Sequence, residues 1–349
     1  MLKATYCRYE LMFHTPAVTS RAVMNSKTTY FIKIWDSDTP EVFGIGECAL
    51  FKGLGCDDVP DYEQHLALIC ANIATLQTKD LMDYPSIRFG VETALNDLNN
   101  GGIRNPFPSG WTNGSTSIPI NGLVWMGTIE QMSARVDEKI AAGFRCLKFK
   151  IGGADFDEEV AILERVRRCY DSSQLEIRLD ANGAFTPDET MRKLHRLSLL
   201  DVHSIEQPVK PHQYDLMREL CVHSPIPIAL DEELIGINTR EEKIYMLESI
   251  KPQFIILKPS LCGGFAGAEE WISLAKHYNI GWWATSALES NIGLNAIAQW
   301  TSKVGVSMPQ GLGTGLLYSN NIPSPLVQIG DGLKFDTNKN WDLSSIKWI

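Results

Sequence analysis

Four successive hydrophobic segments in the second half of the chain end in a charged residue. They end in Asp180 (RLDANG), Glu206 (SIEQP), Asp231 (ALDEEL) and Lys258 (ILKPS), at intervals of 26, 25 and 27 residues. One strand followed by one helix occupies about this length, so the charged groups recur once per strand–helix unit. In a parallel barrel such residues come together at the carboxyl end, where barrel enzymes build their active sites.

Two lysines precede this series by one further unit, in the segment LKFKIG at 147–152. Alternation along a strand puts Leu147, Phe149 and Ile151 on one face and both Lys148 and Lys150 on the other. Alone, this pattern is also typical of a solvated edge strand. In phase with the four charged strand ends, it favours two functional ammonium groups.

Three carboxylates that meet at one place repel each other unless each takes up a proton or shares a cation. Oxygen ligands from carboxylates alone suit Mg²⁺, with Mn²⁺ as the alternative, and the lack of clustered His or Cys argues against zinc. Any one acid could instead cap the following helix, as Asp180 in DANG could. Three acids in phase favour a metal site formed by Asp180, Glu206 and Asp231.

The lysines suggest the reaction. A lysine beside a divalent cation has a lowered pKa and becomes a plausible base near neutral pH. Lys148 and Lys150 come from one side of the barrel and Lys258 from the opposite side, so they would flank a bound substrate. The groups suit removal of a proton α to a carboxylate, with stabilisation of the enediolate that forms.

The elements needed to position these groups are readable from residue 118 onward, where apolar runs alternate with amphipathic segments. Eight candidate strands are IPINGLV (118–124), CLKFKI (146–151), EIRLD (176–180), VHSIE (202–206), IPIALD (226–231), FIILK (254–258), IGWWAT (280–285) and VSMPQG (306–311). Helical patterns lie near 128–142, 157–170, 187–199, 211–222, 239–248, 264–278 and 289–301. This rhythm predicts an α/β fold, a (β/α) TIM-type barrel. A doubly wound sheet is disfavoured because no GxGxxG follows the first strand, and GLGTG at 311–315 is interpreted as a loop.

The first hundred residues have a different pattern of predicted strands and helices. Two β-rich segments (28–36 and 41–50) are joined by a turn, and two helical patterns follow at 60–77 and 84–99. The Pro/Gly/Ser-rich stretch 106–117 then acts as a joint. We expect an α+β domain at 1–115, completed by residues 320–349, and a barrel domain at 116–319.

Composition excludes several classes of protein. A formal net charge of −10 with no basic run disfavours binding to nucleic acid or to an anionic membrane surface. The eight cysteines include no CxxC pair, which favours free thiols, and no apolar stretch is long enough for a membrane span. We therefore expect a cytoplasmic protein. The oligomeric state is not readable from the sequence.

The KxK strand, the three acids on the next three strands and the lysine on the sixth resemble the enolase superfamily, in its muconate-lactonizing-enzyme-like subgroup. The use of a Lys or His base with Mg²⁺ is a known property of that superfamily. Within the subgroup, RLDANG, IALDEEL, LKPSLCGG and ATSALESNIGLNAIAQW are most similar to the o-succinylbenzoate synthase family. The resemblance implies a modified, enolase-like barrel, with the N-terminal α+β part as its capping domain.

Members of that family dehydrate a succinylated hydroxycyclohexadiene carboxylate to o-succinylbenzoate in menaquinone biosynthesis, a carbon–oxygen lyase reaction. The resemblance implies that Lys150 takes the α-proton and Lys258 stabilises the enolate. It implies that Lys148 binds the carboxylate and lowers the pKa of its neighbour. The ligand would be a small-molecule carboxylate, held with Mg²⁺.

A further set of residues is expected around this centre, as supporting or substrate-binding groups. The set is Arg178, Asn182, Glu232, Ser260, Gly263, Gly264, Thr285 and Ser286. Helix capping, ordinary ion pairing and tight turns are the alternatives for these residues. Two lid loops, near 14–27 and 50–57, are expected to close the pocket.

Other activities stay open at this point. An N-succinylamino acid racemase or dipeptide epimerase would use Lys150 and Lys258 as opposed bases, and a muconate-type cycloisomerase would use the same groups. Dipeptide epimerases tend to carry a DxD motif after the eighth strand, which PQGLGTGLL lacks. A catalytically silent barrel would have lost at least one of the six positions, and none is lost.

Overall fold

The computed structural model describes residues 1–18 and 23–348. It opens with an antiparallel sheet of three strands in the order β1 (Leu2–Val18), β2 (Val23–Asp36) and β3 (Phe43–Cys48). Both faces of the middle strand are covered. Tyr30, Ile32 and Ile34 pack towards the helices that follow, whereas Phe31 packs on the other face against the C-terminal segment.

Helices α1 (Tyr62–Ala71) and α2 (Pro85–Asn99) cover this sheet, with short 3₁₀ helices at Ile73–Thr75 and Thr78–Leu81 between them. Pro85 at the first helical position of α2 loses no hydrogen bond there, since that N–H has no partner inside the helix. Glycines let α2 approach β3 closely. A Cβ on Gly46 would lie 1.8 Å from the Gly90 carbonyl oxygen.

The predicted strand at 118–124 forms two strands, β4 (Ile118–Pro119) and β5 (Gly122–Val124), of which β5 begins a parallel sheet. The remaining strands of that sheet are β6 (Cys146–Lys150), β7 (Glu176–Asp180), β8 (Ser204–Glu206), β9 (Ile228–Leu230), β10 (Phe254–Leu257) and β11 (Gly281–Ala284). They lie in chain order from β5 to β11, each beside the next. The barrel fold with an N-terminal α+β part is thereby confirmed.

Helices follow the strands as predicted and enclose the sheet. They are α3 (Ile129–Ala141), α4 (Phe156–Cys169), α5 (Pro187–Ser198), α6 (Tyr214–His223), α7 (Arg240–Ile250), α8 (Gly264–His277) and α9 (Asn291–Val304). Capping boxes at the starts of α3, α5 and α7 explain why those helices begin where they do.

The prediction of an eighth strand at 306–311 is wrong. Only isolated parallel bridges form there, Ile120 with Gln310 and Thr285 with Gly311. Pro309 has no N–H to donate to a ladder, which limits pairing in this segment. The two bridges nevertheless connect the segment to both ends of the seven-stranded sheet and so close the barrel.

The range 14–27, predicted as a lid loop, forms mostly strands in the structure. β1 extends to Val18 and β2 begins at Val23, so most of that range is strand, and residues 19–22 lie outside the described residues. The long first strand gave no clear signal in the sequence because its charged and aromatic residues interrupt the apolar pattern.

The C-terminal segment contacts both parts of the protein. Strands β12 (Leu326–Ile329) and β13 (Gly332–Phe335) pair with each other, and β13 pairs with β4 at the start of the barrel. Further on, Ile346 packs with Phe31 of the N-terminal sheet. The domain boundaries at 115 and 319 stay a prediction.

Aromatic packing joins α2 to the barrel. Phe89 of α2 lies 5.1 Å, between ring centroids, from Phe265 of α8, which also contacts Phe107 and Trp300. Glu92 of α2 accepts hydrogen bonds from the backbone N–H groups of Phe265 and Ala266, the first turn of α8. These contacts fix the N-terminal part against one side of the barrel.

No helix in residues 1–18 or 23–348 is long and apolar enough to cross a membrane.

We predict that Gly90→Ala destabilises the fold, although alanine is the better helix former by about 1 kcal/mol. The new Cβ would lie 2.5 Å from Cys48 Sγ and 2.9 Å from the Cys48 backbone nitrogen, which cannot rotate away. We expect the free energy of unfolding in urea to fall by about 1–3 kcal/mol. Asn99→Ala, at the exposed end of the same helix, is the control; an equal effect of both substitutions would contradict the packing explanation.

Candidate active site

The carboxyl ends of three adjacent strands place charged side chains side by side. Lys150 of β6 pairs in register with Asp180 of β7, and Asp180 pairs with Glu206 of β8. Asp231 directly follows β9 and Lys258 directly follows β10. The predicted convergence therefore results from parallel pairing, which brings successive strand ends to one rim.

Lysine ammonium groups bridge the carboxylates. Lys148 Nζ lies 2.8 Å from Asp180 Oδ2 and 2.6 Å from Glu206 Oε2. Lys150 Nζ lies 2.7 Å from the same Asp180 oxygen, and Lys258 forms an ion pair with Asp231. The six residues singled out in the sequence thus form two groups of ion pairs, and the charges of Asp231 and Lys258 act on Glu206 of the other group.

The charges in this cluster shift each other's pKa. Burial opposes the charge on Lys148, but Asp180 and Glu206 outweigh it and raise the pKa of that ammonium. Burial likewise opposes charge on Lys258, and Asp231 is the main carboxylate that raises its pKa. With carboxylates as their nearest neighbours, both lysines are cationic.

The two acids closest to Lys148 shift in opposite directions. Burial favours the neutral form of Asp180, but the two adjacent lysines outweigh it and hold its pKa below the usual range. Glu206 has its pKa raised well above the usual range, by burial first and then by repulsion from Asp180. Glu206 is therefore the acid whose charge is least compensated by the protein.

A divalent cation fits this set of donors. Glu206 Oε1 is buried and makes no hydrogen bond, and its neighbours Asp180 and Asp231 are also carboxylates. Across the described part of the chain, no three His, Cys, Asp or Glu side chains stand at the spacing of metal ligands. A hard cation would supply the positive charge that Glu206 lacks.

Asn182 links the cluster to Glu232. Its Oδ1 accepts a hydrogen bond of 2.8 Å from Lys150 Nζ, and its Nδ2 donates one of 2.9 Å to Glu232 Oε1. The backbone of Asn182 is left-handed (φ 45°), and its N–H donates to Asp180 Oδ1. Asn182 therefore orients the Lys150 ammonium.

Arg178 lies deeper in the barrel, on the strand that carries Asp180. Its Nε donates to Glu176 Oε1 at 2.6 Å and its Nη1 to the Pro309 carbonyl at 2.9 Å, while its guanidinium stacks on Trp283. These contacts hold the floor of the barrel and do not reach the acids at the rim.

The segment after β10, whose Ser260, Gly263 and Gly264 were expected among the supporting or substrate-binding groups, contacts other parts of the protein. Ser260 Oγ donates to Glu289 Oε1, and the first amides of α8 donate to Glu92. Gly263 and Gly264 have positive φ angles of 95° and 71° and form the turn into α8. Neither glycine borders the cavity described next.

A cavity of about 490 Å³ opens above the lysines. From the barrel it is bordered by Lys148, Lys150 and Lys258, and by Thr285 and Ser286 after β11. The N-terminal part contributes β2, through residues 24 and 26–28, and the segment 51–54. The 50–57 segment thus lies over the cavity; its movement as a lid stays a prediction.

Sequence reasoning missed a second polar cluster beside the cavity. Lys27 of β2, Glu47 of β3 and Glu289 after β11 are all buried within it. No spacing in the sequence connects three residues from such distant segments. The one available signal was a lysine between polar residues just before a buried run, which is also typical of an exposed strand end.

Comparison with known proteins agrees with this geometry. Residues 131–322 match the family model described as "Enolase C-terminal domain-like". A curated relative, the o-succinylbenzoate synthase of Desulfotalea psychrophila, is 44% identical, with 94% of this chain and 98% of the relative aligned.

Solved structures give the same result. The crystal structure of MenC from Desulfotalea psychrophila superposes with a TM-score of 0.85 at 41% identity, over 95% of this chain and 99% of that one. The L-Ala-D/L-Glu epimerase from Bacillus subtilis shares the fold, with a TM-score of 0.80 at 19% identity over 95% of each chain. The family model covers more than half of the chain and the first relative nearly all of it, so this chain belongs to the enolase superfamily.

Proposed function

We propose that this protein is an o-succinylbenzoate synthase, a carbon–oxygen lyase that converts a succinylated hydroxycyclohexadiene carboxylate to o-succinylbenzoate in menaquinone biosynthesis. The observation that carries the proposal is the similarity to the Desulfotalea enzyme along almost its whole length. The lysine and carboxylate cluster adds a chemical reason, because its groups suit proton removal next to a carboxylate. The cytoplasmic location expected from the sequence stays a prediction.

Mg²⁺ is the metal that this site would hold, through Asp180, Glu206 and Asp231. When bound, a divalent cation supplies Lewis acidity that stabilises negative charge developing on a substrate carboxylate. The superfamily uses this ion, and the buried, unpartnered Glu206 oxygen supports its binding here.

Lys150 is the proposed base. Its side chain is 12% exposed against 5% for Lys148, and it borders the cavity, so it is the member of the pair more open to a substrate. Asn182 holds the Lys150 ammonium from one side and Asp180 from the other, which fixes the direction of its nitrogen. Lys148, pinned between Asp180 and Glu206, places a fixed positive charge beside it.

The proposed reaction moves one proton through Lys150. Its neutral amine takes the proton from the substrate α-carbon, and the electron pair of that C–H bond moves onto the adjacent carboxylate as an enediolate, from which it returns to complete the aromatic ring in the next step. The carbon–oxygen bond to the hydroxyl then breaks, Lys150 returns its proton to the departing hydroxide, and water leaves with an aromatic product. Lys258, from the opposite side of the cavity, places its charge against the enolate.

Lys150→Ala is expected to abolish dehydration and to stop exchange of the substrate α-proton, since no other group takes its place as the base. Exchange is measured by mass spectrometry in D₂O, and product formation by ultraviolet absorbance. Lys139→Ala, on the surface helix before the same strand, is the control and should retain both activities. Continued deuterium incorporation by Lys150→Ala would exclude Lys150 as the base.

Glu206→Gln is expected to weaken Mg²⁺ binding at least about tenfold, because it removes the least compensated charge of the proposed ligand set. Titration calorimetry with MgCl₂ on the metal-stripped protein measures this directly, without an activity assay. Glu176→Gln changes a carboxylate at the opposite end of the barrel, next to Arg178, and is the matched control. Equal Mg²⁺ affinity of the two variants would contradict the assignment of Glu206.

The second candidate is a racemase or epimerase of the same superfamily, because Lys150 and Lys258 lie on opposite sides of the cavity. The segment after the eighth strand position argues against a dipeptide. Gly311, Gly313 and Thr314 from that segment border the cavity, and none is a carboxylate that could hold an α-ammonium group.

Comparing turnover of two substrates decides between these activities. We expect kcat/KM for the cyclohexadiene carboxylate to exceed that for N-succinylamino acids at least about a hundredfold, because only dehydration gains from forming an aromatic ring. Dehydration is followed by absorbance and racemisation by polarimetry. A higher kcat/KM with the succinylamino acids would reverse the proposed order.

A further inference from the structure

Lys27 is a buried lysine whose hydrogen-bonding capacity is unused. It lies on β2 with only 7% of its surface exposed, and it borders the cavity. Its Nζ makes no hydrogen bond. An ammonium group has three donors, and leaving them unpaired in a buried place is costly unless a ligand completes them.

Strand alternation separates Lys27 from its polar neighbours. Ser26 and Thr28 both donate to Glu10 on β1, on the other face of β2. Thr29 shares the face of Lys27 and donates to Glu47 at 2.8 Å. Lys27 is therefore directed away from Glu10, towards the side where the N-terminal sheet meets the barrel.

Glu47 and Glu289 are the acids whose charges act on Lys27. Their oxygens, however, accept hydrogen bonds from other groups. Glu47 accepts from Thr29, from the N–H and hydroxyl of Ser290, and from the N–H of Gly293. Glu289 accepts 2.5 Å hydrogen bonds from Ser260 and Ser286. Both acids are engaged by the barrel, and neither forms an ion pair with Lys27.

Burial lowers the pKa of Lys27, and attraction to Glu47 and Glu289 offsets this effect only in part. A bound carboxylate would add the attraction that favours the charged form. The three lysines of the barrel rim, Lys148, Lys150 and Lys258, each contact a carboxylate within the site. Among the described residues that border the cavity, Lys27 is the buried ammonium without such a contact.

We propose that the Lys27 ammonium binds the substrate carboxylate that lies farthest from the reacting carbon. This inference rests on the proposed function, whose substrate carries two carboxylates. The lysine cluster at the barrel rim takes the carboxylate next to the reacting carbon. The second carboxylate loses its hydrogen bonds to water on entering the cavity. The Lys27 ammonium offers a positive charge and hydrogen-bond donors that replace those lost bonds.

A purely structural role for Lys27 gives a different expectation. If the ammonium only balances Glu47 and Glu289, its removal lowers stability and affects all ligands alike. If it binds the remote carboxylate, its removal affects only ligands that carry that group. Two ligands that differ in this one group therefore separate the two roles.

The test is titration calorimetry with the Mg²⁺-supplemented protein and two ligands, o-succinylbenzoate and 2-butanoylbenzoate, in which a methyl group replaces the remote carboxylate. We expect Lys27→Met to weaken o-succinylbenzoate about ten- to hundredfold and to change 2-butanoylbenzoate by less than about threefold. Lys33→Met is the matched control, since Lys33 is on the same face of β2 but packs on Trp35 and Phe43. It should leave both affinities unchanged.

Each other outcome has a defined meaning. Equal weakening of both ligands by Lys27→Met, or no weakening of either, overturns the role of Lys27 and leaves the proposed function standing. If wild-type protein binds neither ligand, the proposed function fails and this inference fails with it. If Lys27→Met does not fold, the wild-type comparison decides, because equal affinity for the two ligands also overturns the proposal.

Discussion

Repulsion among buried carboxylates is the constraint on which the site depends. Asp180, Glu206 and Asp231 are brought to one rim by parallel pairing, and their charges must be compensated there. Lysines from both sides of the barrel compensate part of this charge. One oxygen of Glu206 nevertheless has no hydrogen-bond partner. This incompletely compensated negative charge is the feature on which the proposed cation site depends.

The N-terminal part completes the cavity, and its attachment is built from polar contacts as well as apolar packing. Glu92 binds the first turn of α8, and Glu47 binds the first turn of α9. Helix N-termini favour carboxylates because their backbone N–H groups lack partners, so each acid acts as an anchor. With β2 held in this way, Lys27 is fixed in the wall of the cavity that the N-terminal part forms.

The arrangement separates two electrostatic tasks. At the rim, lysines and acids lie close together, so each group shifts the pKa of its neighbours. At β2, the charges of two acids act on one lysine, but hydroxyl and amide groups already donate hydrogen bonds to the oxygens of those acids. The first arrangement suits chemistry, whereas the second suits recognition of a fixed anionic group.

The sequence by itself determined the barrel rim and its six charged residues, because strand period and βα length control which side chains share one end of a parallel sheet. It also determined most helices, through their apolar period and capping residues. It failed at 306–311, where Pro309 prevents a ladder, and at β1, whose pattern is irregular. Only the tertiary structure decided that Lys27, Glu47 and Glu289 meet, and that Glu92 rather than a ligand occupies the start of α8. Those contacts join segments with no common period, so nothing local in the chain encodes them.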